Sequence, residues 1–386
     1  MSIRFRHVLR LVVLAGALGA GNVASAAPTI DTVPGMPPVT NPHNLYSDAG
    51  ANDFSPAVKG ALYRVYVPNI RSNDVYVIDP KTYKVIDKFP VGHFPQHIVP
   101  SYDLHTLWVN NNGYKPSDGS LTPIDPLTGK PGKTIPVEDP YNMYFTPDGK
   151  SAIVVAEALA KLDFRDPHTM AKQYSIEVHH CLGINHADFS IDGRYALFTC
   201  EVNHRLAKVD MVHHRVVGYL NLGKHHMPQD VRVSPDGKVF YVADMLSDGV
   251  ELVDGVHLKQ IGFIHTGVGT HGLYPSRDGT RLYVTNRGSH RIPGRPHGKG
   301  SVSVIDFATQ KVVATWPIPG GGSPDMGNVS ADGKTLWLSG RYDNVVYAID
   351  TTTGAVHIIK VGKEPHGLTV WPQPGRYSLG HTGNMR

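Results

Sequence analysis

The sequence predicts an all-β chain closed into a seven-bladed β-propeller, with four antiparallel strands to each blade. Three observations predict it. One phrase recurs along the chain: an apolar strand, an Asp-Gly pair, then a second strand rich in β-branched and aromatic residues. It reads FTPDGKSAIVV from Phe145, FSIDGRYALFT from Phe189, VSPDGKVFYVA from Val233, PSRDGTRLYVT from Pro275 and VSADGKTLWLS from Val329. A copy without the glycine, VPSYDLHTLWV, starts at Val99. Asp-Gly between alternating apolar runs marks a hairpin, because the tight turn needs a positive φ that glycine adopts without a Cβ clash. The residues that open each innermost strand are His97, Asn142, His186, Asp230, His271, Met326 and His366. They step by 45, 44, 44, 41, 55 and 40 residues, the period of a four-stranded blade. The two ends of the array are also complementary. The N-terminal part supplies three strands, Leu62–Val67, Val75–Ile78 and Val85–Phe89, and the C-terminal part supplies one inner strand, His366–Trp371. The last strand therefore completes the first blade, and no sheet edge stays open.

Taken in order, residues 1–26 read as a secretory signal. Arg4, Arg6 and Arg10 form a basic start, Leu9 to Leu18 an apolar run, and Ala24-Ser25-Ala26 a small-residue cleavage pattern. The apolar run is too short to span a bilayer, and no later stretch approaches the roughly 18 apolar residues that a membrane helix needs. The leader carries three basic and no acidic residues, so the formal charge of +4 falls to +1 without it. Net charge then gives no argument for nucleic-acid binding. Residues 27–60 form an N-terminal extension, 61–372 the propeller and 373–386 a C-terminal tail. The 40 glycines and 30 prolines suit a turn-rich repeat array. The one long step, of 55 residues, holds an insertion from Arg287 to Gly300. The expected product is a periplasmic or secreted monomer.

Tyr283-Val284-Thr285-Asn286 spells YVTN. With the Asp-Gly turns and the Gly-x-x-Pro-His-Gly phrase from Gly362 to Gly367, the chain resembles the YVTN-repeat seven-bladed propellers, exported proteins of the YncE-like kind. The resemblance implies the fold over nearly the whole mature chain. It leaves function open, since one fold carries many functions.

Propeller topology places the loops that enter the inner strands on the same face as the loops that follow the second strands. That face is unusually rich in histidine, of which the chain has 22. Four of the seven axial openers are His97, His186, His271 and His366, and the seven-fold arrangement aims them at a common centre. They are the candidate metal ligands, with Asp230 and Met326 completing the set. His93, His226, Glu157, Glu201, Arg287 and Arg341 form a second tier on the same face. The insertion adds His290 and His297 as a lid, and Arg287, Arg291, Arg295 and Lys299 make it basic. Cys181 and Cys200 also fall on this face. An exported protein favours a disulfide between them, and a thiolate ligand is the alternative.

Imidazole, thiolate and thioether donors together favour copper, or another transition metal, over magnesium or calcium. Haem ranks lower, since there is no CxxCH for covalent attachment. Periplasmic propellers with a copper cluster (nitrous oxide reductase) or a seated haem (nitrite reductases) are the precedents this reading resembles. A non-catalytic binding propeller is the alternative, recognising a protein, a cell-envelope component or another anionic partner through the basic insertion. A metal-dependent lactonase or lyase stands third, because histidine outnumbers carboxylate at the axis. A small ligand suits all three readings, and nucleic acid ranks below it.

Overall fold

The structure is a computed structural model that describes residue 1 and residues 29–386 apart from 293 and 295. The predicted leader over 1–26, save Met1, and Arg295 of the basic insertion lie outside the described residues. Seven sheets surround one axis. The closing blade joins Thr369–Trp371 to Arg64–Asn69, Asp74–Asp79 and Lys84–Pro90, with Val65 opposite Val370. The other six blades run consecutively, each starting at the axis. In the second blade the outermost strand is split into Lys130–Pro131 and Ile135–Pro136, both paired with Ser120–Asp125. The prolines there lack the N–H that a continuous ladder needs.

Burial decreases outward along each blade. All six residues of the inner strand Ile184–Phe189 are buried, whereas the outer strand Lys311–Pro317 alternates between exposed and half-buried. Apolar side chains from facing sheets fill the gaps between blades, such as Tyr144, Phe164, Phe189 and Phe198 between the third and fourth. Cys181 and Cys200 are joined by a disulfide inside this same cluster, with their Cα atoms 4.7 Å apart. Neither sulfur is a thiolate donor. Among the described residues, no helix is long and apolar enough to cross a membrane.

Every inner strand from the second blade to the seventh carries a register shift at the same place. Between Ile184 and Ala187, for instance, two residues oppose the single Thr199 of the neighbouring strand. The same shift follows Pro95, Pro228, Thr270 and Pro324, and Tyr141 is the extra residue in the third blade. Such a bulge re-aims side chains, and here it turns two consecutive residues per blade toward the axis. Hydroxyls of the second strand satisfy the displaced backbone. The N–H groups of His186, Gly272 and Met326 donate to Thr199, Thr285 and Ser339 at 3.0, 2.6 and 3.3 Å.

The far end of the channel is sealed. The N-terminal extension runs beneath the Asp-Gly turns, with Val33 N–H donating to Asp192, Leu45 N–H to Pro235 and Asn52 N–H to Ala331. The C-terminal tail turns up into the channel between the blades. Ser378 donates to the Pro100 carbonyl, Gly380 pairs with Tyr144, and the terminal Arg386 meets Asp188 at 2.6 Å.

Candidate functional site

The six bulges, with the stretch between Pro365 and Thr369 that enters the closing blade, present two stacked rings of side chains. The upper ring, nearer the open face, is Gln96, Tyr141, Asn185, Gln229, His271, Asp325 and His366. The lower ring is His97, Asn142, His186, Asp230, Gly272, Met326 and Gly367. The four expected histidines do converge, with ring centroids of 5.3 Å for His97–His186, 4.7 Å for His97–His366 and 6.2 Å for His271–His366. They do not share one register, however. His271 and His366 stand one residue earlier in their strands than His97 and His186, and the glycine after each occupies the lower ring. A Cβ at Gly367 would lie 2.0 Å from His97 Nδ1. The His366-Gly367 pair thus supplies an imidazole above and room for the His97 imidazole below.

A fifth histidine, from the tail, joins the lower ring. The ring of His381 is 4.5 Å from His186 and 5.4 Å from His97, and its Nε2 is 3.3 Å from Asp230 Oδ1. His186, Asp230 and His381 each offer a donor atom, and these atoms lie within 4.8 Å of one another. Asn142 stands between the two rings. Its carboxamide oxygen accepts the Met143 N–H, so its NH2 faces the imidazoles and donates to Nδ1 of His186 and of His381 at 3.1 and 3.0 Å. Both rings are held with the proton on Nε2. Asp230 is similarly engaged, accepting N–H groups from Val231 and Leu273 at 2.9 Å. Asn142 thus engages Nδ1 of both lower rings, while the buried Nε2 of His186 has no partner among the described residues.

The upper ring is open. Asp325 is fully buried, with His366 Nδ1 at 3.0 Å from Oδ2 and His271 Nδ1 at 2.8 Å from Oδ1. The carboxylate directs the His366 proton to Nδ1, and Nε2 of that ring has no partner among the described residues. Neither nitrogen of the adjacent His97 has one. Unsatisfied buried polar atoms are few in native proteins, and this cluster of them at the axis marks a place shaped for something else to bind. Tyr141 lies against the rings, 5.2 Å from His97 and 6.5 Å from His366.

Burial holds all five imidazoles neutral. It lowers His97, His186, His271 and His381, and it brings His366 down to about 3, with Arg341 adding to the effect there. Burial works in the opposite sense on Asp230 and Asp325. It is overcome by Arg232 beside the first and Arg287 with His271 beside the second, so both carboxylates sit below their usual range.

The remaining expected residues spread out. Arg287 is buried 3.6 Å from Asp325, and Arg341 lies 3.8 Å from it while bonding Glu364 at 3.2 Å. Both therefore flank the upper ring. Glu201 accepts from Asn185 at 2.8 Å, and burial together with Glu201 holds the Glu157 carboxyl well above its usual range. Met326 gives its sulfur to the Tyr274 hydroxyl at 3.5 Å, so packing between blades claims it. His93 pairs with Asp118 at 2.9 Å on the half-exposed rim, and His226 faces Asp244 and Glu251 in the fifth blade. His290 and His297 tie the insertion to Asp248 and Asp343 at the surface and do not reach the axis. His381 escapes a reading of the repeat because it lies outside every repeat. The one signal for it was that the tail, sequestered with Arg386, carries a single histidine.

A family model described as a YNCE-like beta-propeller matches residues 21–374. No curated protein matches the chain. Among solved structures, the periplasmic gluconolactonase PpgL of Pseudomonas aeruginosa is 19% identical at a TM-score of 0.64, covering 79% of this chain and 98% of that one. Hydrazine synthase of Kuenenia stuttgartiensis is 20% identical at 0.57, covering 70% and 87%. Dihydro-heme d1 dehydrogenase NirN is 13% identical at 0.59, covering 80% and 75%. Likeness at this level concerns the fold.

Proposed function

The chain belongs to the YNCE-like β-propeller family, and from that premise we propose that it is an exported propeller in which His271 and His366 of the upper ring, with His97 below them, hold a transition-metal ion. The observation that carries this reading is Asp325. One buried carboxylate faces Nδ1 of both His271 and His366, and His366 Nε2 is left without a partner. A carboxylate behind a ligating histidine fixes its tautomer and raises its basicity, as in metal sites generally. Burial keeps these imidazoles unprotonated, the form that binds metal. His97, with both nitrogens unpartnered, is the third ligand. The soft donors that favoured copper are engaged elsewhere, the cysteines in their disulfide and Met326 with Tyr274. The nitrogen set that remains still binds copper(II) more tightly than the other divalent ions of its row.

Protein matured through its leader in a bacterial periplasm should retain stoichiometric copper, lost in His366→Ala and His271→Ala. Asp325→Asn should weaken binding by roughly 10- to 100-fold without touching the metal. Elemental analysis and a visible spectrum read the result. A colourless, metal-free protein whose Tm is unmoved by copper, zinc or iron rejects the reading.

A second reading is favoured by the two guanidinium groups beside the same ring. Arg287 and Arg341 suit an anionic organic ligand, and an imidazole oriented by a carboxylate is a general base. In that case His366 Nε2 takes a proton from water, the hydroxide adds to a lactone carbonyl, and the ring oxygen leaves and is protonated. Lactone hydrolysis is what the name of the Pseudomonas aeruginosa neighbour describes. Gluconolactone opening, followed by acid release, should fall at least ~100-fold in His366→Ala in metal-free protein, the scale of a lost general base. No turnover above the spontaneous rate removes this second reading.

A further inference from the structure

The fifth blade carries another convergence of donors, away from the axis. In the sixth blade the second strand ends on Asn286, whose amide donates to the Ser301 and Ser303 hydroxyls at 3.1 and 3.0 Å. The second blade repeats the device, with Asn111 donating to Thr122 at 3.0 Å. In the fifth blade, strand register puts Asp244 where Asn286 stands and Glu251 where Ser303 stands. An amide–hydroxyl pair has become two carboxylates, both fully buried.

His226, from the loop entering the inner strand, faces them with its side chain 25% exposed. Its Nδ1 is 2.7 Å from Asp244 Oδ2, 3.0 Å from Ser247 Oγ and 3.2 Å from Glu251 Oε1. One N–H cannot serve three acceptors. Asp244 Oδ1 is already occupied by the N–H groups of Met227, Leu246 and Ser247, and the Gln260 amide donates to Glu251 Oε2. Glu251 Oε1 is left buried with no hydrogen-bond partner among the described residues, 3.2 Å from the imidazole. Burial, with Asp244 beside it, pushes the Glu251 carboxyl up to about 7. Two adjoining buried carboxylates are tolerated only when a proton or a cation lies between them.

We propose that His226 Nδ1, Asp244 Oδ2 and Glu251 Oε1 form a binding site for a divalent first-row transition-metal ion of the zinc type. The three atoms lie within 4.8 Å of one another. One imidazole and two carboxylates are ordinary zinc donors at about 2.0–2.2 Å, and a fourth position on the exposed side of His226 stays open to water. The His204 ring bonds the His226 carbonyl at 2.6 Å and fixes the loop that delivers the imidazole. The cation takes the place of the proton these groups would otherwise share, so binding releases a proton and tightens as pH rises.

The test uses full-length protein, stripped by chelator and titrated with zinc sulfate, read by calorimetry and by thermal melting. Wild type should bind zinc and gain Tm. Glu251→Gln and Asp244→Asn should bind it at least ~100-fold more weakly, beyond the range for losing an outer-shell partner. The His271→Ala/His366→Ala double variant should keep the zinc isotherm, which separates this site from the axial one. Glu251→Gln keeps the shape and removes the orphaned charge, so its zinc-free Tm should equal or exceed that of wild type. That comparison distinguishes a lost site from a damaged fold. Wild type that binds no zinc, an isotherm that survives Glu251→Gln, or one lost only in the axial double variant each overturns the proposal.

Discussion

Acidifying chelator-treated protein from pH 6.5 to 4.5 is expected to lower its stability progressively. The cause is the neutral histidine cluster. His97, His186, His271, His366 and His381 are held below their ordinary values by burial, and in an unfolded chain each titrates near 6.5. As pH falls below that value, the unfolded chain takes up protons that the folded chain refuses. The stability these groups contribute is complete above pH 6.5 and is lost on the way down, for His366 as far as about 3.

Three carboxyls act in the opposite direction. Burial raises Glu157 well above its usual range, Glu251 to about 7 and Asp139 to about 6, so these stabilise the fold in acid and lose that contribution as pH rises. Five imidazoles against three carboxyls leave a net uptake of protons on unfolding, each net proton worth about 1.4 kcal/mol per pH unit. Asp230 and Asp325, held low by their arginines, extend the loss below pH 4. Urea midpoints at intervals across this range measure the slope. A flat profile would show that the axial imidazoles are already protonated in the folded chain, and would remove the neutral donors on which the metal reading stands.

Removing the Arg386 side chain, as in Arg386→Met, is expected to cost about 3 kcal/mol, within the range for breaking one side of a buried ion pair. Asp188 is completely buried and receives Arg386 at 2.6 Å and Asn384 at 3.1 Å. Without the arginine it keeps the Asn384 amide, the N–H groups of Phe189 and Val233 and the nearby field of Arg232, with no cation in contact among the described residues. Asp188→Asn in the same chain should recover part of the loss, because the orphaned charge disappears with it. Deleting residues 376–386 should cost more, since it also removes His381 and leaves Asn142 with an amide N–H unanswered. Equal stability of the Arg386→Met variant and wild type would mean that the tail does not seal the channel in solution.

The blade count, the closing blade and the face where histidines gather were legible in the sequence because each rests on spacing. Asp-Gly turns every forty-odd residues and three strands at one end answered by one at the other leave few alternative folds. Placing Arg287 and Arg341 on the face where the histidines gather followed from the same topology. Glu251 was legible in principle, as a carboxylate at a position where other blades place Ser303 or Thr122.

Other features depended on distances that no spacing encodes. His271 and His366 differ from His97 and His186 by a single residue, and a bulge decides that such neighbours both face the channel. Met326 fell at an axial register, yet its sulfur went to Tyr274, because a flexible thioether packs where room exists. His381 meets Asn142 across 239 residues of chain.

Local pattern, then, determined the architecture of this protein, since turns and strand alternation are set by near neighbours along the chain. Tertiary packing alone decided which imidazoles keep a free lone pair. That depends on what lies opposite each ring, Asn142 for the lower ring and Asp325 for the upper, and those partners come from other blades and from the tail.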